Sequence, residues 1–116
     1  MTEMHPALLA KLVRSVAVLA LPYEDQVSWL SSLGLGRPEF TDELAQELGD
    51  GARLGGQFVD AGWLTPEACQ KINEIDALLS SRGGPANEEF WRLEALRMSP
   101  EWARVRKLAL SVLATL

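Results

Sequence analysis

The chain is poor in the residues that build small reactive sites. Among 116 residues it holds one cysteine, Cys69, and one histidine, His5. A single cysteine excludes an intrachain disulfide and fits a reducing compartment. At helical spacing Cys69 reads as a small core residue. A single histidine, next to the start of the chain, gives no zinc set of the usual His/Cys kind and no Ser-His or Cys-His nucleophile system. The DxDxDG spacing of a calcium loop is missing. So is the GK[ST] ending that would make a phosphate cradle of the glycines. No catalytic residue, metal or cofactor is expected.

Long apolar runs are missing too. The longest, Ala7 to Leu21, is broken by Lys11 and Arg14 and falls short of the ~20 residues that span a bilayer. Glu3 and His5 replace the basic start of a secretion signal. Two cations are too few for a helix lying on a membrane surface. A cytoplasmic protein without membrane contact is expected. Positive charge is also short: 11 Lys and Arg stand against 16 Asp and Glu, a net of −5. That balance argues against general nucleic-acid binding. The acidity is concentrated. From Glu39 to Asp76 there are nine acidic residues against Arg53 and Lys71.

No stretch alternates with period two, so no sheet is expected. What is present is helical. With 47% hydrophobic and 23% charged residues, the composition is that of one globular domain. The expected fold is an all-α domain over residues 6–116, with residues 1–5 as a loose tail. It has about five to seven short helices in an orthogonal or irregular bundle.

The first helix runs from Pro6 to Ala20, with Leu8, Leu9, Leu12, Val13, Val16 and Leu19 inward and Lys11, Arg14 and Ser15 outward. Pro22 ends it and opens a second, Tyr23 to Leu33, with Tyr23, Val27 and Leu30 inward. Gly34 to Pro38 reads as a loop. A third starts at Thr41 and reaches Ala61, with a weak point at Gly49-Asp50-Gly51, because each interior glycine costs about 1 kcal/mol relative to alanine. Close approach of a neighbouring helix at Gly51 and Gly55 is the plain reading of those glycines. A fourth runs from Pro66 to Ser80 on Ala68, Ile72, Ile75 and Leu79, with Glu67, Lys71 and Glu74 as an exposed charge ladder. Asn87 caps a fifth, to Met98. The sixth opens at Ser99-Pro100-Glu101 and buries Trp102, Val105, Ala109, Val112 and Leu116. Arg104, Arg106 and Lys107 face the other way.

The chain turns most legibly at Phe58 to Ile72. Gly62 suits a helix C-terminus in the left-handed conformation. Thr65-Pro66-Glu67 supplies a capping hydroxyl, a proline where no N–H is needed, and a carboxylate at the positive end of the helix dipole. Trp63 and Leu64 then plug the corner into the core. As a DNA-binding helix-turn-helix the corner fails on charge, because Glu67 and Glu74 would face phosphates.

Glu43, Glu47 and Asp50 fall on one stripe of the third helix. Such a stripe can be a solvated face, hold a metal or polarise a water, or serve as a docking surface for a basic partner. Phe90 and Trp91 are adjacent, and helical neighbours diverge by about 100°, so one of them is expected at the surface. An exposed tryptophan is a typical interface anchor.

The stretches LPYEDQVSWLSSLG, FVDAGWLTPE and FWRLEALRMSPEWARVRKLALSVLATL resemble small acidic helical proteins of actinobacteria, of the kind that serve as immunity partners of polymorphic toxins. The likeness runs from Leu8 to Leu116 and rests on tryptophans, helix caps and core aliphatics. No functional residue carries over from it. It implies a cytoplasmic protein that binds and neutralises one toxin, without catalytic machinery of its own; the chain's acidity fits a toxin with a basic cleft. The partner surface expected from charge and periodicity combines Glu43, Glu47, Asp50 and Asp60 with Trp91. The alternative is a small regulatory or adaptor domain that self-associates. A carboxylate-dependent hydrolase is the third reading.

Overall fold

In the computed structural model, which describes residues 6–32, 42–83 and 85–116, α1 (Pro6–Ala20) ends just before Pro22. The Pro22 carbonyl accepts from the Asp25 and Gln26 amides and starts α2 (Tyr23–Ser32). The chain continues as α3 (Asp42–Ala52), α4 (Gly55–Asp60), α5 (Pro66–Ser80), a 3₁₀ segment (Pro85–Trp91), α6 (Leu93–Met98) and α7 (Pro100–Leu113). The fold is all-α. Residues 1–5, the Gly34–Pro38 loop, Leu33 and Thr41, the expected start of the third helix, lie outside the described residues.

The four long helices form a ring. α1 packs on α3 and α7, and α5 packs on the same two. Contacts run in opposite chain directions across the α1–α3 and α5–α7 seams. Leu12 meets Gly51 and Arg14 meets Glu47. Lys71 meets Ser111 and Arg82 meets Glu101. α1 and α3 are therefore antiparallel, as are α5 and α7, and the whole is an irregular helical bundle. Leu12, Leu19, Leu48, Phe58, Ile75 and Trp102 are fully buried in one continuous core.

The corner forms through backbone bonds that its sequence calls for. Gly62 has φ +77°. Its N–H donates to Val59 O at 3.0 Å, and the Trp63 N–H donates to Phe58 O at 2.9 Å. This pair of bonds is the Schellman motif, and the Phe58 and Trp63 rings stack across it at 6.3 Å. Thr65 Oγ1 accepts from the Ala68 N–H, and Ser99 Oγ accepts from the Glu101 N–H. Leu64 is buried as expected. Trp63 is 38% exposed and only lids the corner, because its ring stacks on Phe58 from outside.

Several inward faces are wider than one stripe. Ser15, expected outside, is buried with its hydroxyl unpartnered. A helix with two neighbours in the ring must bury an arc on both sides. Gln26 is likewise fully buried. Its Nε2 donates to Val18 O and Leu19 O, two carbonyls at the end of α1. Its Oε1 accepts from Nε and Nη2 of Arg106 at 3.2 and 2.9 Å, and Arg106 Nη2 also donates to Leu96 O. Arg106 therefore folds inward, although its helix position suggests solvent. Burial pushes its guanidinium below the usual value, and the Glu24 carboxylate opposes that. Leu116, expected inward, lies beyond α7 and is mostly exposed. The charge ladder on α5 reaches across to α7. Lys71 pairs with Glu67 and donates to Ser111, and Glu74 approaches Arg104.

The helix from residue 41 to 61 is two helices, and its break falls at 53–54 rather than at Gly49–Gly51. α3 persists through both glycines because Leu44, Leu48 and Ala52 bury one face and Gly51 seats Leu12. A Cβ at Gly51 would lie 2.7 Å from Leu12 Cδ1, and one at Gly55 would lie 2.9 Å from the Cys69 sulfur. Both glycines are sites of close approach.

The fifth expected helix is also divided. Asn87 does not cap an α-helix; it sits at a kink inside the 3₁₀ segment, and its side chain donates to Gly83 O. Arg92 is extended before α6 begins. Phe90 and Trp91 lie in the 3₁₀ segment, and both are half-buried rather than one inside and one at the surface. Both rings pack on Trp102, Phe90 stacked at 4.9 Å and Trp91 edge-on at 5.8 Å.

Candidate functional site

α3 sets out its carboxylates across the top of the bundle. Leu44, Leu48, Gly51 and Ala52 face inward. On a helical wheel this places Glu47 on the flank toward α1, Ala45 and Gly49 on the flank toward α5, and Gln46 and Asp50 on the crest, with Glu43 between Asp50 and Glu47. The stripe of Glu43, Glu47 and Asp50 exists, but its members differ. Glu47 Oε1 accepts from Arg14 Nη2 at 2.9 Å, and its Oε2 is buried without a partner. It is committed to the α1–α3 seam. Glu43 is half-buried and Asp50 exposed. Neither has a hydrogen bond or ion pair among the described residues.

Two grooves flank the crest. Toward α1, a groove of about 240 Å³ is lined by Leu8, Lys11, Glu47, Asp50, Gly51 and Leu54. Leu8 and Leu54 are its apolar lining, beside the charged Lys11, Glu47 and Asp50. Toward α5, a groove of about 340 Å³ is lined by Ala45, Gln46, Gly49, Asp50, Arg53, Asp76 and Ser80. Its lining is mostly polar and includes the carboxylates of Asp50 and Asp76. Asp50 belongs to both.

The other two residues expected at this surface sit elsewhere. Asp60 is exposed at the last position of α4, beyond the turn at 53–54, and no hydrogen bond or ion pair among the described residues ties it to α3. Trp91 is in the 3₁₀ segment, where its Nε1 donates to Arg82 O at 2.7 Å. Its ring lies edge-on to Phe90 and Trp102, in a half-buried aromatic cluster over which the Arg82 guanidinium rests on Phe90. The structure thus gathers Glu43, Glu47 and Asp50 and leaves Asp60 and Trp91 apart from them.

Asp76 and Gly49 were not legible as site residues. Asp76 joins Asp50 only because α5 packs beside α3, and no spacing in the chain announces that pairing. Among the described residues, no group of three or more His, Cys, Asp or Glu side chains is placed to hold a metal ion, and no helix is long and apolar enough to cross a membrane. No family model, curated protein or solved structure matches the chain.

Proposed function

We propose that the chain is a non-enzymatic protein-binding module, and most specifically a cytoplasmic immunity protein that neutralises a toxin by docking on its basic cleft. The observation that carries this reading is the crest of α3. Asp50, with no hydrogen bond or ion pair among the described residues, lines a groove that holds an exposed leucine, Leu8. Glu43, likewise without a partner among the described residues, lies two turns back on the same stripe. Acidic groups around an apolar patch suit a partner with basic side chains, because charge steers encounter and the apolar lining supplies contact area. The scaffold beneath is held by capped corners and a continuous core, so little ordering is needed on binding. The likeness to immunity proteins of polymorphic toxins supports the specific form.

The test is capture of partners from lysate of the source organism by the tagged protein, in parallel with a Glu43→Lys/Asp50→Lys variant. One stoichiometric partner with a toxin-like catalytic domain is expected, lost from the variant and weakened at moderate salt. Recovery of the bait alone, or equal capture by the variant, overturns the docking surface. The second reading, a self-associating adaptor, draws on the outward apolar side chains of Met98, Leu110 and Leu116. A concentration-dependent sedimentation coefficient would favour it.

A further inference from the structure

We infer that α2 is a strap that opens as a unit while the ring of four long helices stays folded, and that Arg106 is its latch. The docking surface on α3 belongs to the ring and plays no part in this opening.

α2 is held differently from the helices of the ring. Each ring helix buries a row of apolar side chains, such as Ala68, Ile72, Ile75 and Leu79 of α5. α2 buries Leu30 and, at its centre, the polar Gln26, with Tyr23 and Trp29 only half-buried against the core. It packs on α1 and α6. Its central anchor is one amide. Gln26 Nε2 donates to Val18 O and Leu19 O at the end of α1, and Oε1 accepts from Arg106 of α7. The same guanidinium donates to Leu96 O of α6, so one ring side chain fastens both peripheral helices.

Hydrogen bonds of this kind add little net free energy, because water takes their place when the helix lifts. Apolar burial is what makes a helix open only with the whole fold, and α2 has little of it. A segment held in this way opens at lower free energy than the core beneath it. The joint between α1 and α2 permits the motion. The Leu21 N–H turns back to Val18 O, and the first bonds of α2 go to Pro22 O. Among the described residues no backbone hydrogen bond crosses from one helix to the other. Leu21 and Pro22 can therefore swing without unwinding either helix, and release of α2 uncovers the end of the bundle at Leu19 and Leu96.

The experiment is native-state hydrogen exchange of the ¹⁵N-labelled full chain in increasing urea below the unfolding transition. Amides of Trp29, Leu30 and Ser31 should open at lower free energy, and with a weaker urea dependence, than those of Ile72 to Leu79 and Val105 to Val112, because less surface is exposed. Arg106→Met leaves Gln26 Oε1 unpartnered and should speed exchange in α2 by roughly 30–150-fold. Arg104→Met, on the same helix but facing Glu74, should leave it unchanged. If α2 shares the opening free energy and urea dependence of the ring in the parent protein, there is no strap. If the two arginine variants act alike on α2, Arg106 is not its latch.

Discussion

Arg106 and Gln26, 80 residues apart in the chain, meet through two hydrogen bonds on one oxygen, Gln26 Oε1. Gln26 in turn closes the end of α1 through Val18 O and Leu19 O. The network links α1, α2, α6 and α7 through a single fully buried amide. Arg106→Met leaves that oxygen unpartnered and should cost about 2–3 kcal/mol in denaturant unfolding. Gln26→Leu should cost a similar amount. The double variant should lose about 1–2 kcal/mol less than the sum. Additive losses would show that the two side chains do not support each other.

The glycines of α3 and α4 separate by what stands over them. Gly51→Ala puts a methyl 2.7 Å from Leu12 Cδ1, and overpacking of that kind should destabilise by about 1–3 kcal/mol despite the better helix former. Gly56 has nothing within 4 Å of a built Cβ, so Gly56→Ala should stabilise by roughly 0.5–1 kcal/mol. Thermal unfolding of the pair gives the answer. If both substitutions shift Tm the same way, the close approach of α1 is wrong.

The two capped helix starts supply a matched comparison. Thr65→Ala removes the acceptor of the Ala68 N–H, and Ser99→Ala that of the Glu101 N–H. Each should cost about 1 kcal/mol. Gly62→Ala places a side chain at φ +77° and should cost about 1–2 kcal/mol for the left-handed conformation. Equal stability of Gly62→Ala and the parent would contradict the turn.

Local signals in this chain were strong and tertiary ones weak. Pro6–Ala20, Pro66–Ser80 and the starts at Thr65 and Ser99 follow from period and capping, and the structure places them at those residues. Gly51 and Gly55 were readable as close approaches because a glycine in a helix asks for a reason. The Gln26–Arg106 bonds, the burial of Ser15 and the meeting of Asp50 with Asp76 depend on which helices become neighbours. A single helix's periodicity does not contain that information. The division near Arg92 was missed for a different reason: nothing in Asn87 to Met98 is a strong breaker, and the aromatic cluster on Trp102 outweighs helix propensity there.

Glu43, Glu47 and Asp50 share a stripe but should separate by experiment. Glu47 is paired with Arg14 across the α1–α3 seam, both side chains partly exposed, so Glu47→Gln should lower stability by about 0.2–1 kcal/mol. That loss should shrink at high salt and vanish in an Arg14→Gln background, since screening and removal of the partner act on the same attraction. Glu43→Gln and Asp50→Asn remove charges with no partner among the described residues and should change stability by less than about 0.5 kcal/mol. Partner affinity should move the other way, falling with Glu43 and Asp50 and least with Glu47. Urea titrations of the three variants, at low and high salt, read the first half of this prediction without any partner. A stability loss at Asp50 equal to that at Glu47 would mean that the crest of α3 serves the fold rather than a surface for docking.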